Sequence, residues 1–119
     1  MNRVQLTGVL VWPVEVHRDR NTGQTIGKAM VAVSCGVNDL HFVPVRLRGR
    51  EAIDAANYLG EGSRVDIKGH LHSVLVTDRG AAGATRKRRL VYVIADRITY
   101  LTVHPPRGGD RLPRPEDRQ

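Results

Sequence analysis

Phe42, Arg46 and Arg48 fall at even spacings within nine residues, and Arg86, Lys87, Arg88 and Arg89 form an unbroken cationic run. Lysines and arginines grouped this way can neutralise phosphates, and a ring beside them offers a flat surface for a nucleobase. In an extended segment Phe42, Arg46 and Arg48 share one face, because side chains alternate along a strand. Lys68 and Arg79 add cations further along the chain. The 86–89 run is denser than solubility requires; the competing reading is a solvated loop. Rings are scarce: Trp12, Phe42, Tyr58, Tyr92 and Tyr100 are all there are. Trp12 is open between a stacking platform, a core residue and a subunit contact, while Tyr58 and Tyr100 read as packing residues.

Other chemistry is thin. His70 and His72 share a strand face, but no cysteine pair or third nearby ligand completes a metal site. His17 and His41 read as surface or pairing residues. Cys35 stands among Val31, Ala32, Val33 and Gly36 and reads as a buried thiol. Neither a phosphate-binding glycine loop nor a nucleophile elbow is present, and the carboxylates are scattered. The expectation is a protein that is not an enzyme and uses no metal or cofactor.

The 119 residues suggest one domain with a modest core. Nineteen Lys and Arg against 12 Asp and Glu leave a formal charge of +7. That surplus favours a polyanionic partner, nucleic acid first, though charge alone does not separate this from a merely soluble basic surface. No apolar run is long enough to span a membrane. The chain opens directly on a strand pattern, which predicts no secretory leader, and one cysteine fits a reducing cytosol.

The elements that must position these residues are organised around Arg50–Leu71. Ile53, Ala56 and Leu59, with Ala52, recur at helical spacing, and Gly60 and Gly62 are expected to end that helix. The period then switches to two: Val65, Ile67, Gly69 and Leu71 face one way, and Arg64, Asp66, Lys68 and His70 the other. A long first strand is expected over 3–18, with a bend or edge at Pro13. A turn at Asp19–Gln24 leads to a second strand near 26–35, and a third runs over 40–48. The fourth strand continues to about Val76. A long basic loop is expected over 77–89, and a fifth strand over 90–101 with a bulge near Asp96. One short helix among strands suits an all-β, five-stranded OB-fold barrel, with the helix between its third and fourth strands. Residues 1–103 form that domain, and the Pro/Gly-rich, charged 104–119 read as a disordered tail.

Several segments resemble bacterial single-stranded DNA-binding proteins. They are Asn2-Arg3-Val4 with Leu6 and Gly8, Phe42-Val43-Pro44-Val45 with Gly49, Asn57-Tyr58-Leu59 with Gly62-Ser63, Gly69-x-Leu71, and Ala95–Leu101. The resemblance spans residues 2–101, in order and at matching spacing. It implies an OB fold that binds single-stranded DNA with little sequence preference, in replication, recombination or repair. It also implies a homo-oligomer, a tetramer favoured over a dimer, working in the cytoplasm at the nucleoid with possible replication or repair proteins as partners. Phe42 matches a base-stacking position of that family. Other such positions hold Val37, Arg48 and Val76, of which only Arg48 keeps a planar group. The family's Asp-Pro-Glu near the first strand is altered: Glu15 is kept, but the proline stands at 13. The acidic, hydrophobic-ended tip common in the family is not seen at Glu116-Asp117-Arg118-Gln119. Two alternatives stand beside this reading: a dimeric primosomal OB adaptor of replication restart, and a protein-interaction module that binds no nucleic acid.

Overall fold

The structure is a computed structural model that describes residues 1–106. Six strands and one helix follow in the order β1 (Val4–Leu10), β2 (Glu15–Arg18), β3 (Thr25–Ser34), β4 (Leu40–Arg48), α1 (Gly49–Tyr58), β5 (Arg64–Arg79) and β6 (Thr85–Thr102). The sheet order is β1-β5-β6-β4-β3-β2, and β1 also pairs with β3. That extra pairing, Val9 with Ala32 and Leu10 with Val31, closes a ring of five strands. One pair in the ring is parallel, β4 with β6 at Val45–Val93 and Arg46–Ile94; the rest are antiparallel. This is the five-stranded OB barrel the alternation predicts, with the helix entering after the third ring strand.

The expected first strand over 3–18 is broken. Its chain bends at Val11-Trp12, and β2 resumes at Glu15 on the far edge of β3. Pro13, which lacks an amide hydrogen, stands at that break as expected. Inward residues of the ring strands fill the interior: Leu10, Ala29, Val31, Val45, Leu47, Val65, Ile67, Val93 and Ala95 are all buried. Removing this surface from water is the main drive to closure.

Helix α1 plugs one end, but on a different face than its spacing suggests. Ala52, Ala55 and Leu59 are buried, whereas Ile53 is 38% exposed. The reason is proximity. A Cβ added at Gly27 would lie 2.9 Å from the Ala52 Cβ, so the helix sits on β3 through its smallest residues. The helix ends at Tyr58 with Leu59 extended, and only Gly62 (φ 89°) of the two glycines uses the left-handed region.

The loop expected over 77–89 is a second departure. β5 and β6 pair without interruption from Gly69–Ala95 to Arg79–Thr85, so the segment is a two-stranded ribbon reaching beyond the barrel. Only Gly80–Ala84 turns, closed by the Gly80 amide donating to the Ala84 carbonyl at 2.7 Å. At the base of the ribbon the register shifts between Lys68 and Gly69 opposite Asp96, which is the expected bulge. Gly69 is required there, since a Cβ would overlap the Ile94 carbonyl oxygen.

Residues 104–106 lie against the turn that follows the helix. The Gly60 amide donates to the His104 carbonyl at 2.6 Å. The fully buried Ser63 hydroxyl both donates to the His104 carbonyl and accepts from its amide, each at 3.0 Å. The disorder expected for the remainder of the tail lies outside the described residues.

Candidate nucleic-acid interface

The face of the barrel turned away from the core follows from the strand register. On β4 it carries Phe42, Pro44, Arg46 and Arg48, opposite Ala32, Met30, Lys28 and Ile26 of β3. Across the parallel pairing, Arg46 sits beside Ile94 of β6, and Ile94 and Tyr92 pair with His70 and His72 of β5. One continuous surface therefore runs over β3, β4, β6 and β5.

Its centre is a stack of planar groups. The Arg46 guanidinium lies 4.7 Å from the centre of the Tyr92 ring, close enough for a cation–π contact. The His72 and Tyr92 rings are 5.4 Å apart and tilted by 49°. Phe42 stands along the same face and is 58% exposed, although it belongs to a strand whose opposite side is core. An exposed ring on a rigid strand is available to a base, because stacking needs only a flat face held in place.

Asp96 organises the cationic half. Projecting from the bulge, its carboxylate lies 3.5 Å from Arg48 and 3.0 Å from His70 Nδ1. It holds both side chains over the β4–β6–β5 surface and offsets part of the Arg48 charge. Beside it, a groove lined by Arg3, Gln5, Lys68 and Asp96 carries the polar surface on to β1. Among the described residues, no carboxylate lies within salt-bridge distance of Arg46, Lys68, Arg79, Arg86, Lys87 or Arg89. Near the helix start, burial pushes the Glu51 carboxyl above its ordinary range, and the Ile98 backbone contact and Arg48 pull it partly back.

The ribbon divides the basic run. Arg86 and Arg88 pair with Asp78 and Val76 and continue the Tyr92 face, whereas Lys87 and Arg89 pair with Thr77 and Leu75 on the reverse. Arg88 donates to Asp78 at 2.6 Å. The reverse side also carries Leu71, Leu75 and Val91, each about half exposed (49%, 51% and 49%). Arg79 ends β5 at the ribbon tip.

Other expectations shift. Trp12 sits in the bend between β1 and β2, 44% exposed, which removes the core reading for it. Tyr58 is 60% exposed on the helix and is not a packing residue, while Tyr100 packs against the core and burial raises its hydroxyl pKa. Cys35 is exposed rather than buried, because β3 ends at Ser34 and leaves it in the turn. His41, which has the strand parity of Val43, Val45 and Leu47, is exposed as a surface residue where that row runs off the barrel. His70 and His72 are engaged by Asp96 and Tyr92 respectively.

Tyr92, His72 and Lys28 belong to this face and were not assigned to it from the sequence. A signal existed: Tyr92 has the opposite parity to the buried Val93 and Ala95. Its partner Arg46, however, lies on a strand 46 residues earlier, across a pairing only two residues long.

A closed five-stranded barrel with a cationic, ring-bearing outer face defines a small OB-type nucleic-acid-binding module. Comparison with known proteins narrows this. The chain is similar to a single-stranded DNA-binding protein of Clostridium tetani, 31% identical over 106 residues that make up 85% of this chain and 70% of that protein. It is also similar to single-stranded DNA-binding protein 3 of Clostridium acetobutylicum, 26% identical over 106 residues, 85% of this chain and 71% of that one. No family model matches the chain. The chain belongs to the single-stranded DNA-binding protein family.

Proposed function

We propose that this protein binds single-stranded DNA with little sequence preference along the outer face of β3, β4, β6 and β5. The observation that carries the reading is the grouping of Phe42, Arg46, Arg48 and Tyr92 on one sheet surface. Phosphate contacts come from Arg46, Arg48, Lys68 and Arg86, with Arg88 shared between a phosphate and Asp78. Phosphate contacts carry no base information, and ring stacking tolerates any base, so the surface reads a strand and not a sequence. Arg79 serves from the ribbon tip and Trp12 as an outlying platform at the β1–β2 bend, whereas Lys87 and Arg89, on the reverse side of the ribbon, make no phosphate contact in this reading.

In this reading the protein acts as a homo-oligomer, a tetramer in preference to a dimer. The side chains of Leu71, Leu75 and Val91 on the reverse of the ribbon form the surface a second copy would cover, because three half-exposed aliphatic side chains on one face cost solvation when left bare. Its place is the cytoplasm, at exposed strands formed in replication, recombination or repair.

The test is a titration of labelled poly-dT beside duplex DNA and RNA of equal length, with wild type and Phe42→Ala. Wild type should prefer the DNA single strand to the duplex, and the variant should bind it more weakly by roughly 1–3 kcal/mol with its fold intact. No binding to any oligonucleotide at low salt would overturn the proposal in favour of a protein-interaction module.

A further inference from the structure

We propose that Cys35, Asp39 and His41, at the tip of the β3–β4 hairpin, form a binding site for one divalent transition-metal ion of the zinc type. The pairing register is the first ground. Val33 pairs with His41, so the two residues share a side of the hairpin, and Cys35 and Asp39 follow two positions further along each arm. Alternation therefore places all three on one side of the turn. The second ground is distance. A thiol, a carboxylate and an imidazole, one atom from each, lie within 4.8 Å of one another. Among the described residues this is the one group of three potential ligands so placed.

The turn backbone supports the arrangement. The Cys35 amide donates to the Asp39 carbonyl at 2.8 Å, tying the two ligand-bearing arms together. Gly36 (φ 132°) and Asn38 (φ 59°) take left-handed backbone, which lets three intervening residues reverse the chain. Beyond the turn, the β3 and β4 arms pair continuously from Ser34–Leu40 to Ile26–Arg48, so the arms themselves are rigid.

The donor set fits the ion. Thiolate, imidazole and carboxylate are the ligands zinc takes, at bonds of about 2.3, 2.0–2.1 and 2.0–2.2 Å. Those lengths at tetrahedral angles put neighbouring ligand atoms roughly 3.3–3.6 Å apart. His41 Nε2 and Asp39 Oδ1 are 2.8 Å apart now, sharing a proton, and an ion taking that proton's place moves them slightly outward. All three atoms already lie within 4.8 Å of one another, so the thiol has to close by at most about 1.2 Å, which rotation of an exposed side chain supplies. Three protein ligands leave a fourth position for water. The site lies on the same hairpin as Phe42, with His41 and Phe42 on opposite sides of β4, and a bound ion stiffens that end of the proposed DNA face. The site does not depend on the DNA-binding reading.

The experiment is a Co²⁺ titration of the reduced full-length protein, followed by Zn²⁺ competition, in a non-coordinating buffer. Tetrahedral Co²⁺ gives visible ligand-field bands, and a cobalt–thiolate bond adds a near-ultraviolet charge-transfer band. Cys35 is the chain's single cysteine, so that second band reports on it alone. Wild type should show both bands, saturating at one ion per chain with unchanged oligomer size, and Zn²⁺ should abolish them. Cys35→Ser should lose the charge-transfer band. Asp39→Asn and His41→Gln should each weaken Co²⁺ binding at least tenfold, the lower end of the range for merely outer-shell changes at metal sites. All three positions are exposed, and circular dichroism should show the variants folded. Absence of the bands at excess Co²⁺, saturation at one ion per two chains, or unchanged affinity in both Asp39→Asn and His41→Gln would overturn the proposal. So would loss of binding in His70→Gln/His72→Gln with the hairpin intact.

Discussion

Two double variants of equal charge divide the basic run by the side of the ribbon on which it lies. Arg86→Gln/Arg88→Gln removes two cations from the Tyr92 face, and Lys87→Gln/Arg89→Gln removes two from the reverse. Composition, net charge and local sequence are almost the same in both, so a difference between them measures geometry. Each phosphate contact contributes about 0.7 to the slope of log affinity against log salt on a single strand. Removing two such cations from the outer face flattens the slope by about 1.4 per bound subunit when each holds a phosphate. Arg88 already donates to Asp78 at 2.6 Å, so it contributes less than a full contact. The expected flattening for the outer pair is therefore between about 0.7 and 1.4. Over a fourfold rise in salt, 1.4 in slope corresponds to about 0.8 log units, or roughly a sevenfold difference in how far affinity falls. The reverse-side pair should leave the slope within error of wild type. The assay is fluorescence titration of poly-dT at several salt concentrations, with the oligomer size of each variant checked beforehand. Equal flattening by both pairs would refute the one-sided assignment. Flattening by the Lys87/Arg89 pair alone would place the strand on the reverse of the ribbon.

Three further outcomes follow from particular contacts. Tyr92→Ala removes the ring beneath Arg46 and should weaken poly-dT binding by roughly 1–3 kcal/mol; an unchanged affinity in a folded variant would mean that the ring only orients Arg46. Ser63→Ala leaves the His104 amide without its acceptor at a part-buried site and should lower unfolding stability by about 1–3 kcal/mol in denaturant melts, while the His104 carbonyl keeps its bond from Gly60. Burial raises the Glu51 carboxyl pKa, so folding favours its protonated form; that contribution is present below the ordinary glutamate range and is lost as pH rises through the raised value. The stability of wild type relative to Glu51→Gln should therefore fall as pH rises through that value, and a carboxyl titration followed by NMR should place Glu51 above the exposed glutamates.

Much of the barrel was legible in the chain because burial inside a sheet imposes a period of two. The alternation His41, Val43, Val45, Leu47 against Leu40, Phe42, Arg46, Arg48 marks β4 with its observed ends and puts Phe42 and the two arginines together on the outer face. The broken alternation near Asp96 marks the bulge. Proline at position 13 marks the break in the first strand, since it cannot donate to a ladder. What escaped was non-local. Residues 77–79 and 85–89 are charged and glycine-flanked and read as loop, yet they are strands because each arm supplies the other's backbone hydrogen bonds. Helix α1 turned its alanines inward, and not Ile53, because Gly27 of β3 brings the two backbones close. Tyr92 became the ring beneath Arg46 through a parallel contact of two residue pairs, and no local pattern encodes which strand lies beside which. Cys35, Asp39 and His41 met for the same reason: each residue's parity is local, but the register that sets them side by side is fixed only when β3 and β4 pair.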